Sequence, residues 1–304
     1  MGKGAGGRIA SCRQAPFPVY YMFVMVRKGI IGMDRRPIGV FDSGLGGLTA
    51  VRRLRQLLPE EDIVFLGDTG RVPYGSRSPG TIRRYAKEDV DFLLEQGVKA
   101  AVAACGTVSS IAPELLQGRG IPIFGVVEPA VEKALELTAG GRVAVIGTEA
   151  AIAAGAYVRS LLARAPDCRV IARACPRFVP LIEGGNTEAE DPVLGEAVAE
   201  ALADVRAFGA DTLILGCTHY PLIAGAIRRF LGEQVQLVDV AAQAADALCA
   251  ALTEKDALAR RDRPGDLLCW VTGSAGRFAS QAERYLPGPE TLSFRHTAPG
   301  RLEN

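Results

Sequence analysis

Thr212-Leu-Ile-Leu-Gly-Cys-Thr-His-Tyr-Pro221 is a run of β-forming, apolar positions that stops abruptly at a thiol, a hydroxyl and one of the chain's two histidines. Such a run fits a strand buried in a parallel sheet that delivers reactive groups at its carboxyl end. Ala100-Ala-Val-Ala-Ala-Cys-Gly-Thr-Val-Ser-Ser110 has the same form: an apolar run, a small residue, a cysteine, and a threonine two places later. The matched thiols lie 217 − 105 = 112 residues apart, about the size of one α/β unit. They point to a two-sided site.

Outward from these two stretches the chain alternates. Strands are expected at Ile38 to Phe41, Ile63 to Leu66, into Cys105, Ile121 to Val127, Val143 to Ile146, Arg169 to Arg173, into Cys217, Val235 to Val240 and Leu267 to Thr272, with helices between them. Ser78-Pro79 reads as an N-cap followed by a first-turn residue. Strands separated by helices at this spacing imply parallel sheets covered on both faces. The expected fold is therefore α/β, with two similar doubly wound parallel-sheet domains facing each other across a cleft. The expected division is residues 33–127 plus 240–290 for the first domain and 128–239 for the second. Residues 291–304 would form a tail that includes an edge strand. Ligands in such folds bind at the carboxyl ends of strands, where both cysteines fall.

Composition narrows the function classes. With 35 basic against 34 acidic residues and a net charge of +1, no basic block suggests a nucleic-acid partner. Seven cysteines, without a Cys-x-x-Cys pair, read as reduced thiols, which implies a cytoplasmic protein. Two histidines and no recurring ligand spacing speak against a metal site. The apolar run Ala15 to Val26 contains Pro16 and Pro18 and is too short to span a membrane. Residues 1–32 are expected to be a disordered extension, or sequence ahead of the native start. Lys28-Gly29 would be encoded by a ribosome-binding-like purine string three codons before Met33, and N-terminal sequencing from the native host tests this.

Each matched thiol falls between a strand and a helix, near free backbone N–H groups, so its pKa should drop below about 8.5. Cys12, Cys168, Cys249 and Cys269 lack this setting and read as small buried hydrophobes. Asp42, at the end of the first strand, suits a substrate ammonium or the ionisation of a neighbouring thiol, and Ser43 suits a carboxylate. His219 is a proton partner for Cys217. Glu183, beside two glycines, is either a carboxylate of the site or a loop charge. The glycines at 44, 46 and 47 alone are weak signals, because such turns also cradle phosphates or merely permit packing. Thiols approaching one carbon from opposite faces make sense for stereoinversion, one removing a proton and the other returning one.

Phe41-Asp-Ser-Gly-Leu-Gly-Gly-Leu48, Gly67-Asp-Thr, Arg71-Val-Pro-Tyr-Gly75, Ala104-Cys105, Phe178-Val-Pro-Leu-Ile-Glu183 and Leu215-Gly-Cys-Thr-His-Tyr-Pro221 together resemble the glutamate racemase family, over about Pro37 to Pro287. The resemblance implies cofactor-independent interconversion of L- and D-glutamate for peptidoglycan. By it, Cys105 would exchange the proton of the D-isomer, assisted by Asp42, and Cys217 that of the L-isomer, assisted by His219 and Glu183. Ser43, Pro73-Tyr74-Gly75, Thr107, Thr148 and Thr218 would hold the substrate, with the pocket around Gly106 and Tyr74 setting side-chain discrimination. No metal, nucleic acid or membrane enters, and a homodimer is the expected assembly. Two departures stand out: Gly106 where the family usually has asparagine, and Ala151 where it usually has threonine. The alternatives are a racemase for aspartate or another amino acid, a non-catalytic small-molecule binding protein, and a phosphate- or nucleotide-binding enzyme.

Overall fold

The computed structural model describes residues 34–286 and 293–297. The expectations for residues 1–32 lie outside them, as does most of the tail. The elements run β1 (Ile38–Asp42), α1 (Leu48–Leu57), β2 (Ile63–Gly67), α2 (Pro79–Glu95), β3 (Ala100–Ala103), α3 (Gly106–Ile111), β4 (Ile123–Gly125) and α4 (Val127–Leu137). These are followed by β5 (Arg142–Gly147), α5 (Glu149–Ala154), α6 (Ala156–Arg164), β6 (Arg169–Ala174), α7 (Phe178–Gly184), α8 (Pro192–Phe208) and β7 (Thr212–Leu215). The chain closes with α9 (Ala224–Leu231), β8 (Gln236–Asp239), α10 (Val240–Glu254), β9 (Leu267–Val271), α11 (Ala275–Ala282) and β10 (Ser293–His296).

Two parallel sheets result, in the orders β10-β9-β2-β1-β3-β4 and β6-β5-β7-β8. The interior strands β1, β3 and β7 are buried throughout, as their mostly apolar runs require. Cys105 follows β3, an interior strand of the first sheet between β1 and β4, and Cys217 follows β7, an interior strand of the second between β5 and β8. Helix α10 packs on α1 and α4 and touches β3, β4 and β8, so one apolar cluster runs from the first sheet into the second. Among the described residues no helix is long and apolar enough to cross a membrane.

Several boundaries differ from expectation, each for a local reason. Between β5 and β6 the chain forms two helices rather than one: Gly155 takes a left-handed conformation, φ +66°, which ends α5 and precedes α6. Pro129 does not precede α4 but sits in its first turn, where the missing N–H costs nothing. Pro180 likewise falls in the first turn of α7, which makes the stretch through Glu183 helical, and Gly185 at φ +100° stops it. Ser78 caps α2 as expected, its hydroxyl accepting from Thr81 N–H at 3.2 Å.

Candidate functional site

The site is assembled from loops that follow β1, β2, β3, β5 and β7, all on the carboxyl side of their strands. Asp42 ends β1 and is 1% exposed, its Oδ2 accepting from the N–H groups of Gly44 at 3.2 Å and Gly47 at 3.0 Å. Burial raises its pKa, opposed by the charge of His219 and by these amides. The turn then carries Ser43 beside the first thiol, with Cys105 Sγ 3.6 Å from Ser43 Oγ.

Cys105 corrects one expectation. Its pKa is not lowered but pushed up to about 12, first by burial and then by the negative charge of Asp42. The N–H of Val108 and the Ser43 hydroxyl favour the thiolate, but α3 has only six residues, and its first turn is outweighed by desolvation. The resting group is a thiol.

The second thiol has a different neighbour. Cys217 Sγ lies 3.8 Å from His219 Nδ1, and His219 Nε2 lies 3.1 Å from Glu183 Oε1. Burial opposes the imidazolium, yet the hydrogen bonds to Cys217 and Glu183 outweigh it, aided by the charges of Cys217 and Asp42, and push His219 up to about 10. The structure thus brings Glu183 into contact with His219.

Glycine is required where the two loops meet. A Cβ on Gly46 would fall 2.2 Å from Thr218 Oγ1 and 2.6 Å from His219 Nδ1, so only glycine lets the turn after β1 seat against Cys217-Thr-His219. Thr49 Oγ1 also reaches the Thr218 carbonyl at 3.4 Å. On the other side Thr107 and Thr148 share a hydrogen bond of 3.0 Å, and a Cβ on Gly75 would meet Thr148 Cβ at 2.9 Å. The Pro73-Tyr74-Gly75 loop is thus packed on Thr148. Tyr74 itself is 1% exposed, and its hydroxyl is committed to Asp68 and to Asp89 at 3.1 Å, which leaves the loop's backbone rather than this hydroxyl for a ligand. Arg71, bonded to Asp68 at 2.6 Å, to Asp89 at 3.2 Å and to Glu88, anchors the start of the loop.

Two thiols, each with its own acid–base neighbour, are therefore held at the ends of interior strands of two sheets. The family model for Asp/Glu/Hydantoin racemase matches residues 39–248. The chain belongs to the Asp/Glu/Hydantoin racemase family. It is a racemase, and so an isomerase. A glutamate racemase of Mycobacterium leprae is 45% identical over 270 residues, 88% of this chain and 97% of that one. One of Geobacter metallireducens is 41% identical over 257 residues, 84% and 94% of the two chains. The solved glutamate racemase of Francisella tularensis, in complex with D-glutamate, superposes with a TM-score of 0.81 at 35% identity, over 88% of this racemase and 98% of that one.

Sequence reasoning did not single out three residues that the structure places beside these groups. Gly216 is in backbone contact range of Gly106, since a Cβ on Gly106 would lie 2.2 Å from the Gly216 carbonyl oxygen. Tyr285 stacks edge-on against His219, ring centroids 5.9 Å apart. Tyr157 lies beside both thiol-bearing turns. The glycine before Cys217 was visible in the pattern; the two tyrosines carried no signal, because Tyr157 sits in an ordinary helix and Tyr285 in the turn after α11.

Proposed function

We propose that this racemase interconverts L- and D-glutamate by two-thiol proton exchange, without a cofactor. The carrying observation is the convergence of Cys105, paired with Ser43 and the Asp42 charge, and Cys217, paired with His219 and Glu183, from two different sheets. Starting from the L-isomer, the Cys217 thiolate takes the α-proton: the C–H bond breaks, an S–H bond forms, and the electron pair is delocalised into the carboxylate. The Cys105 thiol then gives its proton to the opposite face of the carbon. From the D-isomer the roles reverse.

The raised pKa of Cys105 fits this scheme. A substrate ammonium between Asp42 and Cys105 introduces positive charge where burial and Asp42 disfavour the thiolate, so ionisation is coupled to substrate arrival. Asp42 and His219 then return the thiols to their starting protonation states. Ser43, the backbone of Pro73-Tyr74-Gly75, Gly106, Thr107, Thr148 and Thr218 form the substrate cradle. Hydroxyls and amides anchor carboxylates without a fixed cation at the reacting centre.

The same reading divides the described chain into a first lobe within residues 33–127 plus 240–290 and a second of residues 128–239, and assigns the product to peptidoglycan synthesis in the cytoplasm. Free thiols at Cys105, Cys168, Cys175, Cys217, Cys249 and Cys269 support a reducing compartment.

Incubation in D2O without added cofactor, with each enantiomer of glutamate and of aspartate, tests the reaction. Wild type should incorporate α-deuterium and lose optical activity with glutamate, and both Cys105→Ala and Cys217→Ala should fail to racemise. Exchange with aspartate alone would overturn the substrate, and racemisation by either single variant would overturn the two-thiol mechanism.

A further inference from the structure

Tyr157, near the start of α6, is a buried polar group that the two-thiol scheme leaves unused. Its side chain is 2% exposed, and its hydroxyl has no hydrogen-bond partner among the described residues. A phenylalanine would fill the same space without burying an unpaired donor, so packing alone does not explain the oxygen. The position of that oxygen does. A Cβ on Gly216 would lie 3.3 Å from Tyr157 Cε2, and a Cβ on Gly106 would lie 3.8 Å from the Tyr157 hydroxyl. Gly106 directly follows Cys105, and Gly216 directly precedes Cys217. The phenol therefore spans the two thiol-bearing turns, beside the space where a carbon attacked from both faces must sit.

The electrostatics fix its state as well as its place. Burial, then the charges of Cys217 and Cys105, hold its ionisation above the ordinary tyrosine range, so the group remains O–H and can donate. Neither glycine brings a side chain to this space. Apart from Gly106's chain neighbours, the phenol supplies the side-chain atom closest to its Cβ position.

We infer that Tyr157 is a substrate-binding residue whose hydroxyl donates a hydrogen bond to the α-carboxylate of the amino acid held between Cys105 and Cys217. The inference rests on the proposed racemase reaction and adds to it a contact from α6, outside the loops that carry the rest of the cradle. The contact supplies a partner for a hydroxyl that no described residue pairs, so substrate binding gains from a donor already buried and oriented.

Tyr157→Phe keeps the ring and removes only the oxygen. The expected result is a rise in KM of at least about tenfold for both enantiomers, as for one lost hydrogen bond to a charged group. With it, kcat should stay within about threefold, and the thermal unfolding midpoint should be unchanged or higher because an unpaired polar group has gone. The stabilisation of the folded protein by saturating glutamate should shrink in parallel. Unchanged KM in both directions would overturn the inference, and so would a fall in kcat at constant KM, which would mean that the hydroxyl acts on the thiols. If wild type fails to exchange the α-proton of glutamate, the reaction itself is wrong; if wild type exchanges and the phenylalanine variant binds equally well, only the role of Tyr157 falls.

Discussion

Replacing Glu183 by glutamine removes the carboxylate 3.1 Å from His219 Nε2 while keeping a side chain of the same shape. In the intact site His219 is raised from its ordinary 6.5 to about 10. At about 1.36 kcal/mol per pH unit, that separation corresponds to roughly 5 kcal/mol favouring the imidazolium, shared among Cys217, Glu183 and Asp42 against the cost of burial. The Glu183 side chain is 38% exposed, so water screens its part, and Glu183→Gln should lower the midpoint by about one pH unit rather than abolish the rise. The chain has two histidines, so a titration followed by imidazole NMR contains two signals to assign. One should titrate near 10 in wild type and move down in the variant. The sign for stability follows from linkage: a histidine whose folded pKa is raised contributes fully below about 6.5, and the contribution is lost as pH rises towards 10. Unfolding measured from pH 6 to 10 should therefore fall less steeply in Glu183→Gln than in wild type. A His219 signal that titrates near 6.5 in wild type, or one that Glu183→Gln leaves in place, would refute the reasoning.

Two further substitutions probe the frame of the site. Lys99 Nζ donates to Glu61 Oε1 at 2.7 Å and to the carbonyls of Asp34 at 2.7 Å and Ala257 at 2.8 Å, with both charged side chains almost fully buried. Lys99→Met should cost about 3–5 kcal/mol in urea unfolding by stranding the Glu61 charge, and adding Glu61→Leu should recover much of that loss. Gly46→Ala places a methyl 2.2 Å from Thr218 Oγ1 and 2.6 Å from His219 Nδ1. Relief requires the Cys217-Thr218-His219 turn to retreat by about 1 Å, which should reduce kcat/KM on the order of a hundredfold with little change in unfolding midpoint.

What the sequence revealed and what it hid divide along a physical line. A strand buried on both faces must be apolar throughout, so β3 and β7 announced themselves, and with them the thiols at their ends. Helix starts were less visible: Pro129 and Pro180 each sit at the third residue of a helix, a place where a proline is tolerated but does not mark the boundary. The ionisation of Cys105 was misjudged because a nearby helix terminus can be read from sequence, whereas the burial and the Asp42 charge that outweigh it depend on how two strand ends are brought together.

The same limit explains Tyr157. Local pattern records what one element buries, and for α6 a tyrosine among apolar residues satisfies that pattern without reference to chemistry. Its relation to Cys105 and Cys217 exists only because Gly106 carries no side chain, which lets the turn after β3 approach the Gly216 carbonyl after β7, while Gly216 leaves room for the Tyr157 ring. In this racemase the glycines are thus as informative as the thiols: Gly46 admits the Cys-Thr-His turn to the loop after β1, Gly106 sets how closely the two thiol-bearing turns meet, and Gly216 makes room for Ile146 and the Tyr157 ring. Chemistry that depends on a carbon held between two sulfurs is governed by that approach. A side chain introduced at any of the three positions should act on both directions of the reaction together, whereas a change at His219 or Asp42 should weigh on the thiol it adjoins.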